Sequence, residues 1–355
     1  AMENKTVLWW GRFDPDYSRN RILRKLLREL GWTIRDFRPL LSRFAGAEAG
    51  LRRVAKPDLV WLPCFRQRDA ATATAWARAR GVPILFDPLI SAWDKQVFER
   101  GKFAEDSPEA RALLAWEHGL FQDMDMVVAD TRPHAEFFAE RFDLGMDRLA
   151  VIPVGAEEPL FAPAPPDHAH QGPVEILFFG SFISLQGPEV IVEAAKLYDG
   201  PPVSWHLLGA GPLLADCRAA AEGLENVVFE PWIDYARLPA RIQDADILLG
   251  VFGASEKAGR VIPNKVYQAL ACGRPVITRR SEAYPDDLDR QDSGIAFVTP
   301  GDTDALAKAV SVWASQRDRL PDLSANAIAS YGCHFSNAII RERLRDALAR
   351  LGFGD

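Results

Sequence analysis

Cysteine is scarce in this chain. Cys64, Cys217, Cys272 and Cys333 are the only four in 355 residues. They stand too far apart for a zinc pattern or a disulfide framework, so a reducing, cytoplasmic setting is expected. Histidine is also sparse, six in all, with neither an HExxH pattern nor paired ligand spacing. No metal and no cofactor are therefore expected. No apolar run approaches the roughly 20 residues that cross a bilayer. No leader pattern is visible, and Ala1 before Met2 reads as an expression remnant. Gly209-Ala210-Gly211 lacks the third glycine of a G-x-G-x-x-G turn, which argues against a dinucleotide dehydrogenase. Positive charge is short overall. A net charge of -7 excludes a general nucleic-acid binder.

What is present is ordinary for a globular α/β chain: 48% hydrophobic and 26% charged residues. The length calls for two domains. Strand patterns at Val7–Trp10, Thr33–Phe37, Leu59–Pro63, Ile84–Phe86, Met126–Ala129 and Ala150–Pro153 alternate with helical ones. The same alternation resumes from Glu175. That order predicts two Rossmann-like, doubly wound parallel sheets facing a cleft. The predicted divisions are 1–160, a proline-rich linker over 161–173, a second domain over 174–334, and a last helix at 335–355 that crosses back to the first.

The most informative segment runs from Ala245 to Thr278. It predicts a strand, a cationic loop, a helix opened by Pro263 and ended near Gly273, and a second strand. Lys257, Arg260 and Lys265 crowd the helix start, opposed by Glu256 alone. Free N–H groups and the helix dipole already favour an anion there, so added cations point to phosphate. Asn264, Lys265 and Gln268 share one polar stripe at spacings of three and four. A solvated basic loop is the plainer alternative. Asp123-Met124-Asp125 precedes a strand instead of following one, and so reads as helix-end polarity. Glu117 and His118 either face a substrate or are satisfied core and surface groups.

Residues 1–60 carry 13 Lys or Arg against 7 Asp or Glu. Arg19, Arg21, Arg24, Lys25 and Arg28 fall on one amphipathic helix. This basic N-terminal region either docks peripherally on an anionic membrane or is a solvated face whose apolar side packs on a sheet.

VEILFFGSFISLQGPEVIVEAAKLY (174–198), HLLGAGPL (206–213), FEPWIDYARLPARIQDADILLGVFG (229–253) and EKAGRVIPNKVYQALACGRPVIT (256–278) together resemble the GT-B glycosyltransferases of family 4, glycosyl transferases group 1. In the first half, FDPLISAWD (86–94) and MVVADTRPHAEFF (126–138) fit a subgroup of these proteins. The resemblance implies a retaining transferase moving a sugar from a nucleotide sugar to a glycan or lipid-linked acceptor, in cell-surface polysaccharide synthesis. By that resemblance, Lys257, Arg260, Pro263, Asn264 and Lys265 hold the donor diphosphate. Gly209, Gly211, Trp232 and Ile233 cradle the base, Gln268 reaches a ribose hydroxyl, and Gly180 and Ser181 approach the phosphates. Gly11 lets the acceptor-domain loop close on the donor, and Asp87 is the best side-chain base or acceptor ligand. The family's usual glutamate pair is missing, with Arg260 and Gln268 at the corresponding positions and Glu256 as a substitute for the first. A catalytically silent nucleotide-sugar-binding partner, an epimerase or a phosphorylase therefore remains as an alternative.

Overall fold

The computed structural model describes residues 4–164 and 171–354. Two compact units make up the chain. One contains the residues up to Val154 together with those from Ile340 on, and the other is Gly155–Ile339. The expected linker at 161–173 falls partly, at 165–170, outside the described residues. The residues just before it are not free. Phe161 is buried, the Ala156 N–H donates to the Tyr331 hydroxyl at 3.2 Å, and the Tyr235 hydroxyl donates to Glu157 at 2.9 Å. These ties assign the chain from Gly155 on to the second unit.

The first unit has six parallel strands, β1 (Thr6–Trp10), β2 (Thr33–Phe37), β3 (Leu59–Leu62), β4 (Ile84–Phe86), β5 (Met126–Ala129) and β6 (Leu149–Val151). Their order in the sheet is β2-β1-β3-β4-β5-β6. The strands β1, β3, β4 and β5 are buried throughout, while edge strand β2 is mostly solvated. That difference explains why the central strands read as unbroken apolar runs: helices cover both faces. Alternate residues take opposite faces. Leu8, Trp10, Val60, Leu62 and Phe86 pack on one side. Val7, Trp9, Leu59, Trp61 and Leu85 pack on the other. There Trp9 stacks on Trp61 with ring centroids 5.0 Å apart.

The helices of this unit are α1 (Ser18–Glu29), α2 (Ala45–Leu51), α3 (Gln67–Ala79), α4 (Ala92–Asp94), α5 (Pro108–Gln122) and α6 (Arg132–Phe142). Helix α1 buries Ile22, Leu23, Leu26 and Leu27 on the Trp9 face. Ile340, Leu344, Ala347 and Leu348 of the last helix join the same core. The plainer reading of α1 therefore holds for its apolar side. Its basic side is mixed: Arg21, Lys25 and Arg28 are exposed, and two others are engaged. Arg19 is 1% exposed and pairs with Asp87, and Arg24 pairs with Asp36 at 2.7 Å.

The second unit repeats the plan with β7 (Val174–Ser181), β8 (Val203–Ala210), β9 (Val227–Glu230), β10 (Ile247–Leu249), β11 (Val276–Arg279) and β12 (Ile295–Val298), all parallel. The order is β12-β11-β10-β7-β8-β9. Its helices are α7 (Pro188–Leu197), α8 (Leu214–Ala220), α9 (Leu238–Gln243), α10 (Glu256–Arg260), α11 (Asn264–Ala271), α12 (Thr303–Ser315) and α13 (Leu320–His334). The chain ends in α14 (Asn337–Arg350). Both sheets are α/β and doubly wound, as expected. In such sheets a ligand sits beyond the carboxyl ends of the strands where the winding reverses. In the second unit that point lies between β7 and β10, and in the first between β1 and β3.

One local expectation fails. The cationic loop is partly helical, because the Ser255 hydroxyl accepts from the Ala258 N–H at 3.2 Å and starts α10. A serine ahead of Glu-Lys-Ala is an N-cap signal that the sequence carries. Pro263 likewise sits one position earlier than expected. It is the cap residue, and the helix begins at Asn264.

Candidate functional site

At the reversal point of the second sheet lies a cavity of about 520 Å³. Its lining includes Gly180 and Ser181 at the end of β7, Ala210 at the end of β8, and Pro263, Asn264, Lys265 and Gln268 of the α11 start. Gln186, Phe179, Trp232, Tyr235 and Leu238 complete it. No carboxylate is among these residues.

Lys265 sets the electrostatics. It is 6% exposed, and its Nζ donates to the amide oxygen of Gln186. The ammonium lies 3.9 Å from the Phe178 ring centroid, a cation–π contact. Among the described residues no acid compensates it, and burial alone pushes its pKa well below the usual lysine value. Around it, α11 has no acidic residue in its first turn and no side-chain cap, so its leading N–H groups keep their partial charge. A buried ammonium at an uncapped helix start, opening on a cavity, is suited to an anion.

Gly180 makes the approach possible. It adopts φ +151, and a Cβ there would come within 2.2 Å of Gln186 Oε1 and 2.8 Å of Lys265 Nζ. Substituting alanine at Gly180 should displace Lys265, and isothermal titration with a nucleoside diphosphate should show affinity lowered about tenfold or more.

Other expected residues fall elsewhere. Ile233 is half-buried and outside the lining, while Trp232 is inside it. Gly209 and Gly211 are required by close packing on the backbone of Gly180 and Phe182, not by the cavity. Glu256, Lys257 and Arg260 belong to α10 and are absent from the lining, and Lys257 is buried. Of the three expected cations, Lys265 is in the cavity lining, while Lys257 and Arg260 belong to the separate short helix α10. Ala210, between the two expected glycines, lines the cavity, whereas Phe179, Tyr235 and Leu238 were missed. Phe179 near the end of β7 looks like any core residue, and Tyr235 and Leu238 sit at the entry to α9, where no sequence signal marks a cavity wall.

The first unit revises two further assignments. Asp87 is 1% exposed, and its two oxygens accept from Arg19 Nε at 2.9 Å and Nη2 at 3.0 Å. Arg19 Nη1 also donates to the carbonyls of Ile152 at 3.1 Å and Pro153 at 2.7 Å. Asp87, expected as a side-chain base or acceptor ligand, is thus half of a buried ion pair. Gly11 sits at φ +128 with a Cβ position 2.8 Å from Asp69 Oδ2, so its need for glycine arises inside its own unit. Glu117 proves to be a satisfied core group. It accepts from Ser91 Oγ at 2.5 Å and from the N–H groups of Ala92 and Trp93 at 2.6 and 3.1 Å. Burial still pushes its pKa up. His118 pairs with Asp143 near the surface. Among the described residues no group of His, Cys, Asp or Glu is arranged to hold a metal, and no helix is long and apolar enough to cross a membrane.

Comparison with known proteins converges on the same geometry. Residues 173–316 match the family Glycosyl transferases group 1, and residues 13–155 match the Glycosyl transferase 4-like domain. A D-inositol 3-phosphate glycosyltransferase of Pseudarthrobacter chlorophenolicus is 28% identical over 190 residues, covering 49% of this chain and 44% of that protein. The chain thus aligns with less than half the length of this curated relative. HepE of Anabaena, solved in complex with UDP, superposes with a TM-score of 0.72 at 14% identity, covering 97% of this chain and 99% of HepE. Sucrose-phosphate synthase from Thermosynechococcus elongatus gives 0.69 at 18% identity, with 99% of each chain covered. Twin doubly wound sheets, an anion-ready cavity where the second one reverses, and family matches over both halves place this chain among the group 1 glycosyl transferases of GT-B fold.

Proposed function

We propose that this chain transfers a sugar, with retention and without a metal, from a nucleoside-diphosphate sugar to a glycan or lipid-linked hydroxyl, and that it serves cell-surface polysaccharide synthesis. The observation that carries the reading is Lys265, a buried ammonium with no acid partner among the described residues, facing a cavity at an uncapped helix start. In the transfer, the anomeric C–O bond to the diphosphate breaks and a C–O bond to the acceptor oxygen forms. The acceptor proton goes to the leaving phosphate. Negative charge builds on that phosphate, where Lys265 and the leading N–H groups of α11 stabilise it. Gln268, one turn further along α11 and also in the lining, is placed for a ribose hydroxyl, with the half-exposed Trp232 for the base. HepE bound to UDP makes uridine diphosphate sugars the first donors to try.

A second reading has its own support. The cavity lining contains no carboxylate, and by the resemblance drawn from the sequence Arg260 and Gln268 stand where the family carries glutamates. On that reading the chain binds the nucleotide sugar without turning it over. Thermal-shift titration with UDP, GDP, ADP, TDP and their sugars, followed by product analysis with the stabilising donor, separates the two. Released nucleoside diphosphate and a glycosylated acceptor support transfer. A stabilising donor recovered intact supports the silent partner, and no stabilisation by any of them removes both.

A further inference from the structure

The strongest surface feature of the first unit lies between β2 and β3. Leu40, Leu41, Phe44 and Leu51 are 74%, 54%, 51% and 86% exposed. Four large apolar side chains in twelve residues, held outward, are unusual on a surface bathed only by water. Their display is built, not loose. Helix α2 turns Ala45 and Ala49 into the core. Phe44 and Leu51, seven residues apart, consequently fall on the opposite face. Glu48 is used internally: it accepts from the Leu40 N–H at 2.8 Å, tying the entering loop to the helix, and pairs with Arg52. The Thr72 hydroxyl holds the Ser42 carbonyl at 3.1 Å.

Cations ring these apolar groups. Arg38, Arg43, Arg52, Arg53 and Lys56 are all exposed, and Glu48 is the only acid between 38 and 56. The Arg43 guanidinium lies over the Phe44 ring at 4.5 Å, so charge and apolar surface are presented together.

We propose that this face, residues 38–56, docks the chain on an anionic lipid surface, with Phe44, Leu51, Leu40 and Leu41 entering the headgroup–acyl boundary and Arg43, Arg53 and Lys56 meeting lipid phosphates. Apolar groups alone would suit many partners, but the surrounding net positive charge opposes pairing with a second copy of the same patch and selects an acidic, apolar-backed surface. The assignment places the membrane contact on the segment after β2 because exposed apolar side chains accompany the cations there, whereas the apolar side of α1 is buried in the core. It rests on this surface alone and not on the reading of the cavity.

Vesicle sedimentation tests it on the full chain. The chain should pellet with mixed phosphatidylcholine–phosphatidylglycerol vesicles, less so at high salt, and not with phosphatidylcholine alone. The double variant Phe44→Ser, Leu51→Ser should lose about tenfold or more of that partition. A second pair, Arg43→Glu with Arg53→Glu, should do the same and guards against misfolding of the first. Failure of the wild-type chain to pellet with anionic vesicles would overturn the proposal, as would wild-type partition by both pairs. A wild-type dimer that Phe44→Ser, Leu51→Ser disperses would assign the patch to a second copy instead.

Discussion

Replacing Lys265 with methionine is expected to lower affinity for a nucleoside diphosphate by about 10²-fold, and turnover by about 10²–10³-fold, while the unliganded protein becomes more stable. The two effects share one cause. Methionine fills nearly the same volume but carries no charge, so the variant removes a buried ammonium that no acid offsets among the described residues. The pH dependence follows from the direction of the shift. In the folded chain Lys265 loses its proton at a lower pH than in the unfolded chain. Between those two values the unfolded state binds more protons, so stability rises with pH there, and below the window the full penalty applies. Affinity runs the other way. The protonated form is the one that meets phosphate, so nucleotide binding should weaken as pH climbs through the folded-state value and should take up a proton within that window. Calorimetry in buffers of different ionisation enthalpy measures the uptake. The methionine variant should show no uptake from this group and a flatter stability profile. Wild-type affinity in that variant would place the diphosphate elsewhere.

This prediction also marks how far the sequence alone reaches. The alternation of apolar runs and helical patterns is enough to place the twelve strands of the described residues, because parallel strands covered on both faces leave a dense, simple signal. The helix start at 263–265 was legible for a similar reason: proline, asparagine and lysine in place of acids contradict the ordinary composition of a first turn. What could not be read was which cations share a cavity. Lys257, Arg260 and Lys265 are neighbours in the chain, yet Lys265 is the one in the cavity lining, and Lys257 and Arg260 sit on a separate short helix that Ser255 starts. Burial was equally hidden. Nothing in the run SRNRILRKLL distinguishes Arg19, which the fold encloses, from Arg21, which it leaves exposed; the difference depends on Asp87, 68 residues away. The apolar side chains of 40–51 were missed because periodicity marks an apolar residue as core by default, and their exposure is a fact of tertiary packing.

Asp87 offers the sharpest separation between the sequence reading and the structure. Replacing it with alanine should cost about 3–5 kcal/mol of stability, because the Arg19 guanidinium would stay enclosed without its counter-charge. Arg19 is held on its other side by the Ile152 and Pro153 carbonyls, which cannot neutralise it. Total domain stability is about 5–15 kcal/mol, so such a loss is large enough to read from urea melts as a lower midpoint without a changed slope. Asparagine at the same position keeps one acceptor for the guanidinium and should cost less. Pairing Arg19→Met with Asp87→Leu removes both charges and should recover much of the loss, since an apolar pair of similar size avoids the desolvation of two ions. A proton-accepting Asp87 gives the opposite pattern. The Asp87→Asn variant would then be as dead as the alanine variant while melting like the wild type, and the apolar pair would stay inactive however stable it became. If activity instead tracks stability across the three variants, Asp87 holds the carboxyl ends of β4 and β6 in place through Arg19 and has no direct part in moving the proton.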